Sequence, residues 1–292
     1  MQFSIVTPSF RNSEWLKLCI ASVADQQGVT VEHLVQDSCS DDGTLDWLLH
    51  DPRVTAFVEK DSGMYDAVNR GFRKARGEIL AYLNCDEQYL PGALQAVGDF
   101  FSSHPKVDVV LTDTIVVDAK GQYICHRKSL TPIRSHLWYR FPVLSCALFV
   151  RRSAVVAHGL YFDTQWHDLG DGYWVRKMMS EGVRMAVLRR FTSVFADTGE
   201  NMNLGPNARR ELQQALADVP TWGKLARPAL VAHHRLRLLW NGSYSQKPLS
   251  YALFTRQSPQ QRVVVRVEKP TGLWRNRTKS IFLPGSRIQA QP

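Results

Sequence analysis

Residues 61–87 read DSGMYDAVNRGFRKARGEILAYLNCDE, and this stretch decides the fold. In its first half, Met64 to Ala75, apolar residues recur at i, i+3, i+4, i+7, i+8 and i+11, which predicts a helix with one buried stripe. Its second half, Glu78–Leu83, is a short apolar run that predicts a buried strand. Polar residues follow this strand directly, at Asn84, Asp86 and Glu87. A helix that leads into such a strand is typical of an α/β fold.

Short strand candidates alternate with helical patterns on both sides of this stretch. The strand candidates are Phe3–Thr7, Glu32–Gln36, Val54–Glu59 and Val107–Leu111. Between them, Ser13–Gln26 has helical periodicity, and Pro91-Gly92 opens a further helix. The alternation predicts fold class α/β, with a mostly parallel sheet and helices on both of its faces.

The pattern is less regular after residue 112. Ile115–Val117 and Tyr123–His126 flank the turn signal at residues 118–121, so a hairpin is predicted. The apolar run Phe141–Val150 is ten residues long, too short to span a bilayer, and predicts a buried strand. Asp171–Ser180 has the pattern of a helix, and Met185–Leu188 that of a strand.

Polar residues gather where the predicted strands end. The first strand ends in Thr7 and Ser9, the second is followed by Asp37, and Asp66 and Asn69 lie on the helix after Gly63. Single carboxylates at such places often cap helices. In open α/β sheets, however, ligands bind beyond the carboxyl ends of the strands. Several strand ends that supply polar groups together therefore predict a binding site.

Asp86 and Glu87 are the strongest single signal in this set. Two adjacent carboxylates repel each other unless a positive charge lies beside them. Oxygen ligands suit Mg²⁺ or Mn²⁺, which prefer one or two carboxylates together with substrate phosphates. A different interpretation is a helix N-terminus before Pro91, where the helix dipole favours acids. The two residues alone do not decide between these interpretations.

Six blocks of the sequence resemble family 2 glycosyltransferases, in the order of that family. They are residues 7–10, 19–26, 32–37, 61–71, 75–78 and 83–87. The resemblance implies a GT-A fold, Rossmann-like, with a nucleotide-binding half and an acceptor-binding half. It implies that Thr7, Ser9 and Asp37 surround the base and ribose, and that Asp66 and Asn69 lie nearby. It also implies that Asp86 and Glu87 stand where the family has its metal-binding acids, next to the bound donor.

The sequence departs from the family pattern at two of these positions. Glu87 stands where a second Asp is usual, which keeps the oxygen chemistry and changes the coordination geometry. Ser38 stands where a second acid often follows the second strand, so only Asp37 is carried over from that motif.

The resemblance also implies a catalytic base in the segment from Phe162 to Gly182. Asp171 matches the acid of the family there, and it would deprotonate the acceptor hydroxyl during inverting transfer. An alternative is that Asp171 caps the helix that follows it. His167 and Asp168 are rivals by proximity alone. The polar segment Thr192–Asn203 is predicted as a loop that closes over the ligand.

Charge divides the chain into two parts. The whole chain has a net charge of +9, whereas residues 201–292 hold 15 Lys/Arg against 3 Asp/Glu. We therefore predict a catalytic domain at 1–204, with halves at about 1–112 and 113–204, and a basic, helix-containing extension at 205–292. Arg235, Arg237 and Trp240 in that extension favour an anionic membrane surface as partner. A solvated basic face, or a surface that binds the catalytic domain, is the alternative. A nucleic-acid partner is not expected, because no recognised binding motif is present.

Five scattered cysteines without a CxxC spacing indicate a reducing compartment. The first residues are already a strand candidate, so no secretory leader is expected. The sequence thus predicts a cytoplasmic protein, peripheral on the inner face of the cell membrane.

The predicted function is inverting, metal-dependent transfer of a sugar, resembling hexosyltransferases. The donor is a UDP-, GDP- or dTDP-sugar, the cofactor Mn²⁺ or Mg²⁺, and the acceptor a glycan or lipid-linked hydroxyl. Bacterial polysaccharide or glycolipid assembly is the implied setting. The alternative is a nucleotide-sugar-binding or scaffold protein whose metal site has drifted. A nucleotidyltransferase would carry a glycine-rich loop after the first strand, which residues 7–12 lack. A glycoside hydrolase would leave the six blocks unexplained.

Overall fold

The computed structural model describes residues 1–140, 144–199 and 206–274. The strands of the main sheet are β1 (Gln2–Ser9), β2 (Thr30–Asp37), β3 (Thr55–Val58), β4 (Ile79–Tyr82), β5 (Glu87–Tyr89), β6 (Val109–Asp118), β7 (Tyr123–Arg127), β8 (Leu148–Arg151) and β9 (Met185–Asp197). The helices are α1 (Ser13–Ala24), α2 (Thr44–Leu48), α3 (Met64–Lys74), α4 (Ala93–Ser103), α5 (Arg152–Ala157), α6 (Gly170–Ser180), α7 (Pro206–Ala217), α8 (Thr221–Leu225) and α9 (Arg227–Trp240). Strands β10 (Leu249–Thr255) and β11 (Ser258–Val267) form a separate hairpin.

The main sheet has the strand order β3-β2-β1-β4-β8-β6-β9-β5, and β7 pairs with β6. In its first half, β1 pairs in parallel with β2 and with β4, and β3 adds in parallel beyond β2. In its second half, β8 is antiparallel to both of its neighbours, whereas β6 and β9 run parallel. The predicted α/β class is confirmed. The carboxyl ends of β1, β2 and β4 consequently meet at one edge of the sheet.

Helices cover both faces of this sheet, as the sequence predicts. Successive residues of a strand point to opposite faces. Val6 of β1 belongs to the apolar cluster that contains Val68 and Phe72 of α3, whereas Ile5 belongs to the cluster formed with α1 and α4. Helix α3 lies so close to β1 that a Cβ on Gly71 would be 2.4 Å from a methyl carbon of Val6. The first turn of α3 is thereby fixed beside the end of β1.

The long strand β6 corrects the prediction of two shorter strands in this region. Its polar middle, Thr112 to Thr114, interrupts the apolar pattern but is fully buried. Thr112 Oγ1 lies 2.6 Å from Thr192 Oγ1, and Thr114 Oγ1 lies 3.2 Å from the hydroxyl of Ser193. Because neighbouring β9 supplies these hydrogen-bond partners, the polar residues stay inside the sheet.

The apolar run Phe141–Val150 is not one strand, contrary to expectation. Residues 141–143 lie outside the described residues, residues 145–147 form a short 3₁₀ turn, and the strand begins only at Leu148. The turn gives the Ser145 hydroxyl a partner at Glu87 Oε1, 3.0 Å away. The apolar run therefore contains a turn that carries a polar contact to β5 before its strand begins.

The β10–β11 hairpin packs onto the main sheet, and β10 was not predicted. Tyr251 and Leu253 join an apolar cluster with Ile115 and Val117 of β6. The Gln88 side chain donates to the carbonyl of Phe254 at 2.9 Å and accepts from its N–H at 2.8 Å. These contacts cross the proposed boundary between residues 204 and 205, which itself stays a prediction. Helices α7 to α9 lie within residues 206–240, the extension as a unit stays a prediction, and residues 275–292 lie outside the described residues.

Every helix in the described ranges is too short or too polar to cross a lipid bilayer.

Candidate active site

A cavity of about 600 Å³ opens at the carboxyl ends of β1 and β4, beside the first turn of α3. Three predicted site residues line it, namely Ser9, Asp86 and Asp171. Further polar and charged side chains come from the surrounding loops: Ser38, Lys60, Asp61, Asn84, Ser145, Asp168 and Thr198. The fold therefore brings acids from two distant parts of the chain to one cavity.

Asp37 lies behind Ser9 and is fully buried. One of its carboxylate oxygens accepts hydrogen bonds from the hydroxyls of Ser9 and Ser40, both at 2.8 Å. Its other oxygen accepts from the backbone N–H of Ser40 at 2.7 Å. Asp37 thus fixes the end of β1 against the loop after β2 and reaches the cavity through Ser9. Its contact with a base or ribose stays a prediction.

Thr7 and Asp66 are not among the residues that line the cavity. Thr7 is fully buried, and its hydroxyl lies 2.9 Å from His33 Nε2. Asp66 accepts hydrogen bonds from the backbone N–H of Ser62 at 3.0 Å and from Arg70 at 2.9 Å. Both residues stabilise the elements around the cavity, and their predicted roles in donor binding remain predictions.

Asn69 contacts the second half of the domain rather than the cavity. Its side-chain amide donates to the carbonyl of Phe162 at 2.9 Å, and its oxygen accepts from the Phe162 N–H at 2.8 Å. This bidentate contact docks the segment that leads to Asp171 onto α3. A role of Asn69 in donor binding, as implied by the resemblance, stays a prediction.

Asp86 and Asn84 both line the cavity. The Asp86 side chain is partly exposed there, and burial of the rest raises the pKa of its carboxyl to about 6. The side-chain oxygen of Asn84 is buried and has no hydrogen-bond partner within the described part of the chain. A buried polar atom without a partner costs free energy, so this oxygen has an unused capacity to accept a ligand.

Glu87 is fully buried, and both of its carboxylate oxygens are engaged. One accepts from the backbone N–H of Asn84 at 2.8 Å, and the other from the Ser145 hydroxyl at 3.0 Å. Burial, and then the neighbouring charge of Asp86, raises the pKa of Glu87. Glu87 therefore holds the loop that carries Asp86. Its predicted part as a metal ligand stays a prediction.

The oxygen atoms at the end of β4 fit a divalent cation that is shared with a substrate. Mg²⁺ and Mn²⁺ commonly take one or two protein carboxylates and complete their shell with phosphate oxygens and water. Asp86 offers such a carboxylate, and the unpartnered oxygen of Asn84 lies in the same loop. The described residues contain no cluster of three or more His, Cys, Asp or Glu side chains that could hold a metal alone.

Asp171 lies in the first turn of α6 and lines the cavity from the side of the second half. Its backbone N–H donates to the Tyr65 hydroxyl at 3.1 Å, and its Oδ1 accepts from the N–H of Gly172 at 2.8 Å. A Cβ on Gly170 would lie 2.5 Å from the Tyr65 ring. The helix start therefore rests directly on Tyr65, which fixes where the acid stands.

The rivals of Asp171 have different surroundings. Asp168 also lines the cavity, and burial raises the pKa of its carboxyl, with a contribution from the charge of Glu211. His167 is exposed and is not a lining residue; its Nδ1 would lie 3.3 Å from a Cβ on Gly63. Of the two rivals, only Asp168 lines the cavity, so it remains a second candidate for the catalytic base beside Asp171.

The predicted loop Thr192–Asn203 begins later than expected, because β9 continues to Asp197. Thr198 lines the cavity, and residues 200–205 lie outside the described residues.

Sequence reasoning missed Tyr65, Asn84 and Ser145 as residues of this site. Asn84 lies in one of the six blocks, but within that block only the acids Asp86 and Glu87 were assigned a role. Tyr65 stands next to the predicted apolar stripe of α3 and is not part of it, and a single aromatic residue there carries no functional signal of its own. Ser145 lies in an apolar run, where a lone hydroxyl was the available signal.

Comparison with known proteins bears on the family and the fold of the chain. A sequence model described as "Glycosyl transferase family 2" matches residues 4–156, just over half of the chain. A PGL/p-HBAD biosynthesis glycosyltransferase of Mycobacterium bovis is 33% identical over 120 residues, which are 39% of this chain and 47% of that protein. The chain thus matches about half the length of this relative.

Two solved structures share the fold. One is S. aureus TarS, residues 1–349, in complex with UDP-GlcNAc, with a TM-score of 0.58 and 18% identity over 75% of this chain and 67% of that chain. The other is the mannosyltransferase PcManGT of Pyrobaculum calidifontis in complex with GDP-Man and Mn²⁺. Its TM-score is 0.55, with 18% identity over 81% of this chain and 70% of that chain. The likeness confirms the expected GT-A architecture.

Proposed function

Because the chain belongs to glycosyl transferase family 2, we propose that it transfers a sugar from a nucleotide-sugar donor to a hydroxyl group of an acceptor, with inversion at the anomeric carbon. The observation that carries the proposal is the cavity shared by Ser9 at the end of β1, Asp86 after β4 and Asp171 at the start of α6. Its volume of about 600 Å³ lies within the usual range of small-molecule sites.

The donor lies, in this proposal, along the edge formed by Ser9, Ser38 and Asp86, with its diphosphate towards Asp86. The positive side chain of Lys60 lines the same cavity and suits an anionic ligand. A UDP-, GDP- or dTDP-sugar is the proposed donor class, supported by the UDP-GlcNAc and GDP-Man bound to the two solved neighbours.

Asp171 is the proposed base. Its carboxylate takes the proton of the acceptor hydroxyl while the hydroxyl oxygen bonds to the anomeric carbon. The bond from that carbon to the diphosphate oxygen breaks on the opposite face, and the nucleoside diphosphate leaves. An Asp in water is a weak base, so positioning and exclusion of water must supply part of the rate.

Asp86, together with the amide oxygen of Asn84, is the proposed protein contribution to a Mn²⁺ or Mg²⁺ site. A cation there would neutralise charge on the leaving diphosphate. Mn²⁺ in the structure of PcManGT supports this choice. Glu87 does not contact the cation in this proposal. Its hydrogen bonds to Asn84 and Ser145 instead hold the loop that carries Asp86 in place.

The burial of Glu87 favours one alternative, a nucleotide-sugar-binding or scaffold protein without catalysis. Where a second acid would serve the metal, this chain has a carboxylate that is fully buried. The same cavity would then hold the donor without turning it over.

The acceptor class we propose is a glycan or lipid-linked hydroxyl in cell-surface polysaccharide or glycolipid assembly. The biosynthetic name of the mycobacterial relative supports this setting. The five cysteines are all free thiols, which fits the reducing cytoplasm where the enzyme would act.

An anionic membrane surface is the proposed partner of the basic extension at 205–292. Residues 219–267 contain eight Lys/Arg and no Asp or Glu. Apolar side chains of α8 and α9 are exposed beside these charges, with Leu225 at 78%, Leu239 at 59% and Trp240 at 76%. Exposed apolar residues that alternate with cations are typical of helices that lie in the plane of a membrane interface.

A panel of donors tests the proposed reaction. Purified protein is incubated with UDP-, GDP- and dTDP-sugars, with and without Mn²⁺ or Mg²⁺, and released nucleoside diphosphate is measured. We expect turnover of one donor that depends on the metal and is lost in Asp86→Ala. Asp171→Asn should lower the rate by about 10²- to 10⁴-fold, the usual contribution of a general base. Asp46→Asn, at an exposed acid of α2, is the matched control.

Calorimetry on the same panel separates the two candidate functions. Binding of a donor without turnover, in the presence of metal and of glycan and lipid-linked acceptors, would favour the binding protein. A chain that binds none of the donors would exclude both.

A further inference from the structure

The basic extension places one buried carboxylate next to the site. Glu211 lies on α7, and only 4% of its surface is exposed. It is one of 3 acids among residues 201–292, which hold 15 Lys/Arg. Burying a carboxylate costs free energy unless hydrogen bonds or opposite charges compensate it. We therefore expect the buried carboxylate of Glu211 to have such partners.

Four N–H groups point at this carboxylate. One oxygen accepts from the backbone N–H of His167 at 2.7 Å and from the side-chain amide of Asn207 at 2.9 Å. The other accepts from the backbone N–H groups of Asp168 at 3.1 Å and Leu169 at 2.9 Å. Three consecutive backbone donors thus converge on a single side chain, with two donors on each of its oxygens.

These three donors directly precede the start of α6. The N–H groups before and within the first turn of a helix lack partners inside the helix, and a negative charge is favoured there. Glu211 supplies both the acceptor and the charge. It therefore helps to fix where α6 begins, at Gly170, one residue before Asp171.

Asp171 is consequently held between two anchors from different parts of the chain. On one side, its own N–H donates to the Tyr65 hydroxyl of α3 at 3.1 Å. On the other side, Glu211 of α7 holds residues 167–169. Both anchors contact backbone atoms, so together they fix the position of the helix start.

We infer that Glu211 is a positioning residue for sugar transfer, which sets the Asp171 carboxylate in its working place although it does not touch the substrate. The inference rests on the proposed role of Asp171 as base. It makes α7 of the basic extension part of the catalytic unit, with a task separate from the membrane surface proposed for α8 and α9.

Glu211→Gln is the decisive variant, because glutamine fills the same volume. One of its two polar atoms is an NH₂ group, which would face two N–H donors and cannot accept from them. A role in packing alone would leave this variant near the wild-type rate. Displacing a catalytic group by about 1 Å can cost about 10²-fold in rate, so we expect a loss of that order in kcat.

Rates are counted per molecule that binds donor, with the binding stoichiometry measured by calorimetry. This correction removes any loss due to unfolded protein. We expect the Kd for donor to stay within about 3-fold of wild type, because the donor edge is built from β1, β2 and β4. Asp218→Asn, which neutralises an exposed acid directly after the end of α7, is the matched control and should keep the wild-type kcat.

A double-mutant cycle with Asp171→Asn provides the second readout. If Glu211 acts through Asp171, Glu211→Gln lowers kcat in the wild-type background and leaves the residual rate of Asp171→Asn unchanged. Equal losses in both backgrounds, or a wild-type kcat in Glu211→Gln, would overturn the inference. If Glu211→Gln binds no donor, Asn207→Ala, which removes one of the four donors, is judged by the same criterion.

The proposed function fails in a different way. Transfer that persists undiminished in Asp171→Asn would remove the base itself, whatever Glu211→Gln does. Loss of transfer in Asp171→Asn, with Glu211→Gln at the wild-type rate, would remove only the inference about Glu211.

Discussion

The hydroxyl of Tyr65 accepts a hydrogen bond from the backbone N–H of Asp171 at 3.1 Å, which joins the first turn of α3 to the first turn of α6. Four residues further along α3, Asn69 binds both backbone groups of Phe162. The Tyr65 and Phe162 rings also stack, with centroids 4.9 Å apart. One face of α3 therefore docks the segment that brings the proposed base to the cavity.

Removing the Tyr65 hydroxyl should impair catalysis more than donor binding. Tyr65→Phe leaves the part-buried N–H of Asp171 without this acceptor and so removes one of the two anchors of the helix start. We expect kcat to fall by about 10-fold, since a displacement of a catalytic group by about 1 Å can cost up to about 10²-fold in rate. Steady-state kinetics with the donor found in the panel give kcat and KM. Tyr161→Phe, at a tyrosine outside the cavity lining, is the control; equal losses in the two variants would contradict the prediction.

A side chain at residue 170 should destabilise the protein. The Cβ of Gly170→Ala would lie 2.5 Å from the Tyr65 ring, so the ring or the helix start must move. Overpacking of this kind costs about 1–3 kcal/mol, which lowers Tm by several degrees, at about 2–4 °C per kcal/mol. Thermal unfolding checks this. Gly98→Ala is the matched control, because its Cβ would meet Phe3 at an ordinary 3.5 Å. A fall in Tm no larger than that of the control would refute the close approach.

Acidification should loosen the packing of α9 through His234. Burial, followed by the nearby groups His136, Arg140, Arg127 and Arg237, lowers the pKa of His234 to about 4. Because the folded pKa is below the ordinary value of 6.5, the neutral form is the stable one. The stabilisation is complete above about pH 6.5 and is lost as pH falls through about 4.

We therefore expect Tm of the wild type to fall more steeply between pH 6.5 and 4 than Tm of His234→Gln, which cannot acquire the charge. Differential scanning calorimetry across this range measures both. His50→Gln, at an exposed histidine, should follow the wild type. Parallel curves for wild type and His234→Gln would show that this histidine does not govern the acid response.

Exposed apolar residues of α8 and α9 should mediate binding to anionic vesicles. Leu225→Ser, Leu239→Ser and Trp240→Ser combined remove side chains whose burial is worth about 1.5–3 kcal/mol each for residues of leucine size. We expect at least about 10-fold weaker flotation with phosphatidylglycerol-containing vesicles, and little binding of any variant to pure phosphatidylcholine. Val264→Ser, at an exposed valine of β11 (63%), is the control. Undiminished flotation of the triple variant would reject this surface.

Periodicity and strand-end chemistry predicted the parallel half of the fold well. The α3 helix ends at Lys74, one residue before the predicted end. The prediction succeeded because the apolar stripe of this helix packs on one face of a regular sheet, which periodicity alone can reveal. Prediction failed where partners come from distant sequence. Thr112 and Thr114 looked like an interruption, but Thr192 and Ser193 satisfy them inside the sheet. No local pattern contains that information.

In the candidate site, too, residues with a local sequence signal were predicted and residues that depend on distant contacts were missed. Asp86 and Asp171 were found from recognised blocks, and both line the cavity. Glu211 had no local signal, because a single acid in a basic helix resembles any solvated residue. Only the fold reveals that three backbone N–H groups from forty residues earlier converge on it.

The hydrogen bonds that anchor the segment before α6 end on main-chain atoms of Phe162 and of residues 167–169. Asp163, Thr164 and Gln165, which lie between these anchors, are exposed. Their identities can change without altering the hydrogen bonds that fix the base. This short exposed stretch is therefore where a designer could vary side chains or attach a probe while the start of α6 keeps its anchors.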